Sequence, residues 1–321
     1  MVVVSVACLR ATRLLLSHKP TLTAPEVLLF ENYLRLHSMR LFEIHDHPRF
    51  PKLLRDMITD ALQLLWSSSN LYQPIIPCLQ RALDNSGTRN VVDLCSGGGG
   101  PWLGLARVLE RKEHYPVTVC LTDRYPNRKA FERLQSRSKL TVKFDSRSID
   151  AVQVPTDLNG FRTLFSAFHH FAPSEARQVL ANAMDHREGI GIFEMPQRTL
   201  KTMLAVCFTP FVILCLTPCI LPIRWPRLLW TYLLPVIPFV VCFDGWMSCL
   251  RAYSQQELSE IVRSLPGGIY EWEIGEERGG FLPVTYLIGY PTCGSRSSTS
   301  VNPKRHSRNN GSPSVPDVED E

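Results

Sequence analysis

The chain has 321 residues, 45% of them hydrophobic and 20% charged, with a formal net charge of +5 and a mean hydropathy of −0.04. These values exclude a disordered or fibrous protein and leave enough chain for one large core or two small ones. The basic residues do not interleave with aromatics in a patch, so no nucleic-acid partner is expected. The 10 cysteines contain no C-x-x-C pair and no ladder of ligand spacing, which reads as reduced thiols of an intracellular protein and gives no reason to expect a metal. The apolar residues are unevenly spread: between Thr202 and Phe243 the only charges are Arg224 and Arg227.

In chain order, residues 1–24 carry Arg10, Arg13 and Lys19 and no acid. That composition suits an organelle-targeting segment, mitochondrial among them, and equally a frayed helix. Thr23-Ala24-Pro25-Glu26 then has the form of a capping box, and helical patterns follow through Val27 and Phe30, through Leu54 to Leu65, and up to Leu83. Residues 25–88 are thus expected to form an N-terminal helical cap. His45-Asp46-His47 is followed by Pro48 and has no partner cluster in the sequence, so it reads as a polar loop rather than a metal site.

From residue 89 short apolar strands alternate with amphipathic helices. Strands are expected at 90–94, 117–122, 141–144, 162–167 and 190–194, with helices near 102–110, 127–135 and 174–184. Such alternation builds a parallel sheet covered on both faces. Ser254 with Glu257 three residues on caps a further helix to 264, and 270–274 and 285–289 form two last strands around a glycine-rich turn. The polar stretch 292–321 has too little apolar content for a core and is expected to be disordered.

The most informative segment is Val91-Val92-Asp93-Leu94-Cys95-Ser96-Gly97-Gly98-Gly99-Gly100-Pro101-Trp102. A buried strand ending in an acid and running into glycines before a helix lets backbone N–H groups approach a ligand closely. A P-loop would end in Gly-Lys-Ser/Thr, where this loop has Gly-Pro-Trp. A dinucleotide fingerprint starting at Gly97 needs a small residue where Trp102 stands. With both of those set aside, the segment resembles motif I of the class I S-adenosylmethionine-dependent methyltransferases, Asp93, Gly97 and Gly99 matching its acid and later glycines and Cys95 replacing its first glycine.

The resemblance continues down the chain over residues 89–290. It implies that Asp123, ending the second strand, takes the two ribose hydroxyls, and that Ile149-Asp150-Ala151 places an acid at the adenine amino group between apolar neighbours. Residues 164–171 resemble motif IV at the substrate mouth, where one of His169 and His170 would be packed in the strand and the other would face the cleft as a base for an oxygen acceptor. Residues 93–102 and 244–253 further resemble a membrane-associated group of these enzymes. The fold implied is a doubly wound, mostly parallel seven-stranded α/β sheet, a Rossmann-like methyltransferase fold, formed by 89–198 and 244–291. The cofactor implied is S-adenosyl-L-methionine.

Residues 202–223 carry no charge, enough for about 33 Å of helix at roughly 1.5 Å per residue. Trp225, Trp230 and Tyr232 cluster beside Arg224 and Arg227 as interfacial aromatics do, while Pro210, Pro218, Pro222, Pro226, Pro235 and Pro238 argue for kinked or re-entrant helices. Residues 199–243 are therefore expected to form a hydrophobic helical hairpin inserted after strand 5, membrane-associated or a buried cap. The function expected is methyl transfer to a small, lipophilic or lipid acceptor at an intracellular membrane. The alternatives are a non-catalytic membrane module with a degenerate cofactor fold and a protein methyltransferase.

Overall fold

The computed structural model describes residues 42–68, 70–138, 142–268, 270–280 and 282–292. The expected targeting segment, the capping box at Thr23 and the expected disordered tail beyond residue 292 lie outside the described residues. Helix α1 (Lys52–Ser68) and α2 (Ile76–Ser86) lead into β1 (Asn90–Leu94), α3 (Trp102–Arg111), β2 (Thr118–Asp123), α4 (Arg128–Ser138), β3 (Val142–Ser148), β4 (Phe161–Phe165), α5 (Pro173–Asp185) and β5 (Ile190–Glu194). A helical insertion follows: α6 (Leu200–Cys207), α7 (Thr209–Leu216), α8 (Trp225–Leu228) and α9 (Val236–Arg251). The chain then closes with α10 (Gln255–Arg263), β6 (Tyr270–Glu277) and β7 (Val284–Pro291).

The seven strands form one sheet in the order β3-β2-β1-β4-β5-β7-β6. It is a mixed sheet rather than the mostly parallel one expected: β1 to β5 pair in parallel, while β7 pairs antiparallel with both β5 and β6. The reversal follows from connection length, since β6 and β7 are joined by a short turn and neighbours joined that way must run in opposite directions. Alternate strand residues enter opposite faces. Val91, Phe193 and Ile288 pack with α2, α3 and α4, whereas Val92, Ile192 and Leu287 pack with α5 and α10. Burial on both faces explains why β5 is buried throughout and reads as continuous apolar sequence.

Because β2 and β3 extend the sheet on one side of β1 while β4 and β5 extend it on the other, the chain reverses its winding at the β1–β4 junction. A crevice opens there beyond the carboxyl ends of the strands, and the glycine loop, Asp123 and the histidine pair all fall at those ends.

The insertion is made of short helical pieces. Prolines stand at the first turn of α7 and of α8, where the missing N–H costs nothing, and so cut the apolar run into short pieces; a 3₁₀ turn (Thr217–Cys219) and a π turn (Leu229–Leu233) complete it. The segment Leu200–Cys219 has the length and hydropathy of a membrane span with 17% of its window buried, and Trp225–Leu233 with α9 passes the same test only as a pair bent by 69°. Helix α9 runs through Asp244–Arg251, across the boundary expected at 243/244.

A third apolar cluster joins Met57, Ile58 and Ala61 of α1 to Ile213, Ile220, Ile237 and Val240 of the insertion. A buried ion pair reinforces it: Arg227 donates to Asp60 Oδ2 at 2.7 Å and to the Ile220 carbonyl at 2.8 Å. The N-terminal helix and the insertion thus form one wall beside the crevice.

Candidate active site

The glycine loop is shaped by what packs on it. A Cβ on Gly98 would lie 2.4 Å from the Thr59 carbonyl of α1, and one on Gly99 would lie 2.0 Å from Leu134 of α4; Gly99 also has φ +110°. The backbone of α1 excludes a side chain at Gly98, and the positive φ disfavours one at Gly99. Cys95, standing where the family pattern has glycine, has φ +56°, a left-handed conformation that costs an L-residue about 1–2 kcal/mol.

Asp93 is 1% exposed and accepts from Ser96 Oγ at 2.6 Å and Thr163 Oγ1 at 2.7 Å. Burial pushes its carboxyl up to about 7 despite those two hydrogen bonds. A folded state that holds the proton more tightly than the unfolded chain loses stability as pH rises from the ordinary carboxyl value of 3.8 to about 7, on the order of 4 kcal/mol in all. Asp93→Asn keeps the shape without the charge, and the two hydroxyls can rotate to suit it. It is expected to melt above the wild type at pH 8, with the gap closing towards pH 4 in thermal melts. A constant difference across that range would contradict the assignment.

Asp123 accepts from Gly97 N and from Tyr125 N, one on each carboxylate oxygen and both at 2.7 Å. Burial raises its pKa. A carboxylate offers about four lone-pair directions, so one on each oxygen stays open for a vicinal diol. Asp150 stands on the cleft with its side chain 43% exposed and its Oδ1 turned to Val152 N at 3.0 Å. Its neighbours Ile149 and Ala151 are buried in the core beneath it.

Strand β4 ends at Phe165, so neither histidine lies in it: both occupy a 3₁₀ turn, Phe168–His170. That turn is fixed by Glu194 at the end of β5, whose Oε1 accepts from Ala167 N at 2.8 Å and Phe168 N at 2.7 Å while Oε2 accepts from His169 Nδ1 at 2.5 Å. His169 is 2% exposed. Burial disfavours its charge, but the carboxylates of Glu194 and Glu43 outweigh burial and raise it to about 10. His170, 23% exposed, is held through Nδ1 by Asp46, and Arg251 donates to its carbonyl.

Four contributors come from places that the sequence gives no reason to join. Glu43, 2% exposed, accepts from Ser248 Oγ of α9 at 3.0 Å. Residues expected as a polar loop instead form the 3₁₀ turn Ile44–Asp46, seated on Asp244, which accepts from Ile44 N at 2.6 Å and His45 Nδ1 at 2.7 Å. Arg55 binds the turn's His45 carbonyl at 2.9 Å and lies 4.2 Å over the Tyr125 ring. Asp46 and Asp244 fall in segments that the sequence singles out, the His45-Asp46-His47 triplet and 244–253, and Glu194 closes an otherwise apolar strand, but nothing in the sequence shows that they meet; Glu43 left no signal.

One cavity of about 820 Å³ is lined by most of these groups, though not by Glu194 or Arg251. Its polar end holds Asp93, Ser96, Gly97, Asp123 and Asp150, and its far end is walled by Leu62, Leu65 and Trp66 of α1 and Val206, Phe208 and Val212 of the insertion. Glu43, His45, Asp46, His169 and His170 line the same cavity. Gly99, Ile149 and Ala151 do not.

No protein-family model matches the sequence, and no curated protein matches it. Solved structures give weak superpositions. An O-methyltransferase family protein from Burkholderia thailandensis is similar at 17% identity over 84% of this chain and 70% of that one, with a TM-score of 0.42. Human N-acetylserotonin methyltransferase in complex with SAM is similar at 15% identity over 75% of this chain and 56% of that one, TM-score 0.44. Magnesium protoporphyrin IX methyltransferase from Synechocystis PCC 6803 with bound SAH is similar at 14% identity over 68% and 83%, TM-score 0.37.

Proposed function

We propose that this chain is an S-adenosylmethionine-dependent methyltransferase acting on a small lipophilic acceptor at a membrane surface. The observation that carries the reading is the single cavity, acidic at the glycine loop and apolar at the insertion. Its volume, about 820 Å³, sits in the upper part of the range of small-molecule pockets and accommodates cofactor and acceptor together.

The residues at the polar end fit the cofactor by their chemistry. The open lone pairs of Asp123 suit the ribose diol, the exposed Asp150 carboxylate suits the adenine amino group, and the ionised form of Asp93 favours a cationic neighbour. The sulfonium supplies a methyl group already activated for transfer. What remains for the protein is to align the acceptor and exclude water, and positioning of that kind is worth several kcal/mol. The α1–insertion wall meets both needs because it is apolar and spans the cavity from the loop outward.

The membrane location rests on the outer surface of the insertion. Of the 14 exposed large hydrophobic side chains among the described residues, 12 lie between Leu200 and Phe239, including Phe208, Phe211, Trp225 and Leu233 at 64–82% exposure. An apolar patch of this kind marks an interaction surface, and its Trp and Tyr side chains suit the headgroup region. The same helices bear the cavity's apolar end, so an acceptor dissolved in lipid would enter from the side that touches it.

The test is to incubate the purified chain with methyl-labelled S-adenosylmethionine and membranes, then extract. Label in the organic phase that depends on Asp123 supports the reading. Label confined to protein would replace it with a protein methyltransferase, and no transfer by a chain that still binds the cofactor would favour a non-catalytic module.

A further inference from the structure

We propose that Glu43, His169 and His170 form a binding site for one divalent transition-metal ion of the zinc type, set in the cavity beside the glycine loop. One ligand atom from each of the three lies within 4.8 Å of the others. His169 Nε2 is 3.3 Å from Glu43 Oε1, and His170 Nε2 is 3.7 Å from Glu43 Oε2. Two donors on a tetrahedral ion at zinc distances sit about 3.3 Å apart. The first pair already has that spacing.

The orientation of the imidazoles is the second observation. Each ring has its Nδ1 engaged by a carboxylate, Glu194 for His169 and Asp46 for His170, and the rings lie 4.5 Å apart between centroids with their planes tilted by 31°. A carboxylate on Nδ1 orients each ring so that Nε2 is the atom offered to an ion, the arrangement that supports metal-bound histidine. The third observation is His169 Nε2 itself, a buried nitrogen that makes no well-aligned hydrogen bond and faces Glu43 Oε1 at 3.3 Å.

Charge fits as well. Glu43, Asp46 and Asp244 line this end of the cavity and Glu194 stands behind His169, faced by His45 and by Arg251, so a dication would meet an excess of carboxylates. Three protein ligands leave a coordination position open, and His170 is the ligand with cavity-facing exposure. An imidazole-weighted donor set favours zinc-like ions over magnesium or calcium. If the methyl-transfer reading holds, an ion here would bind the acceptor oxygen and lower its pKa, the task that a histidine base would otherwise serve. The binding itself does not rest on that reading.

Cobalt(II) is the probe. The tag-free full chain, treated with chelator and shown by circular dichroism to remain folded, is titrated with Co²⁺ without S-adenosylmethionine. The expected result is one Co²⁺ per chain with visible absorption of a low-coordinate site, displaced by Zn²⁺. His170→Ala should abolish the absorption. Asp46→Asn, which keeps all three ligands, should weaken binding about 10- to 100-fold. No cobalt absorption in the folded wild type, or binding unchanged in both variants, overturns the proposal whatever the outcome with S-adenosylmethionine.

Discussion

Asp123→Ala is expected to weaken S-adenosylmethionine binding by about two to four orders of magnitude. Two charge-assisted hydrogen bonds to a ribose diol are worth roughly 1.5–3 kcal/mol each, and about 1.4 kcal/mol is one decade in affinity. The substitution leaves the fold in place because the amides it releases, Gly97 N and Tyr125 N, border the cavity, where water reaches them. Asp123→Asn retains one acceptor and should fall between the two. Equilibrium dialysis with labelled cofactor measures all three chains, and equal affinities would place the cofactor away from this carboxylate.

The second large effect is on stability. Asp60 is 3% exposed and accepts from Arg227 Nη2 at 2.7 Å, from Asn127 Nδ2 at 3.1 Å and from Arg133. Asp60→Ala leaves the Arg227 guanidinium, itself 2% exposed, buried with only backbone carbonyls for partners. Breaking a buried pair from one side costs about 3–5 kcal/mol. Urea unfolding should show that loss, and limited proteolysis should cut first between Ile220 and Arg224, where the insertion would lose its tie to α1. A loss below about 1 kcal/mol would mean that the apolar cluster alone seats the insertion. Asp60→Ala combined with Arg227→Met should recover much of the loss, because the uncompensated charge goes with the arginine.

The parts legible in the sequence are those governed by local rules. Strands β1 and β5 match their expected limits, and α10 begins at the Ser254–Glu257 capping box, because period, capping and turn chemistry act within a few residues. The glycine loop was legible for the same reason. Glu43 and Ser248, or His45 and Asp244, meet across some 200 positions, and no periodicity announces such a pair. The histidines were visible as chemistry, but their tethering by Glu194 and Asp46 belongs to the fold. In the insertion, proline count pointed to breaks; the packing of its pieces on α1 depends on apolar residues that look alike in sequence.

The most direct measurement is a calorimetric titration of the purified chain with S-adenosylmethionine and, separately, S-adenosylhomocysteine. One site per chain for each ligand, lost together in Asp123→Ala while the variant stays folded, is the expected result. Folded wild-type protein that binds neither ligand would contradict the methyltransferase reading at its root.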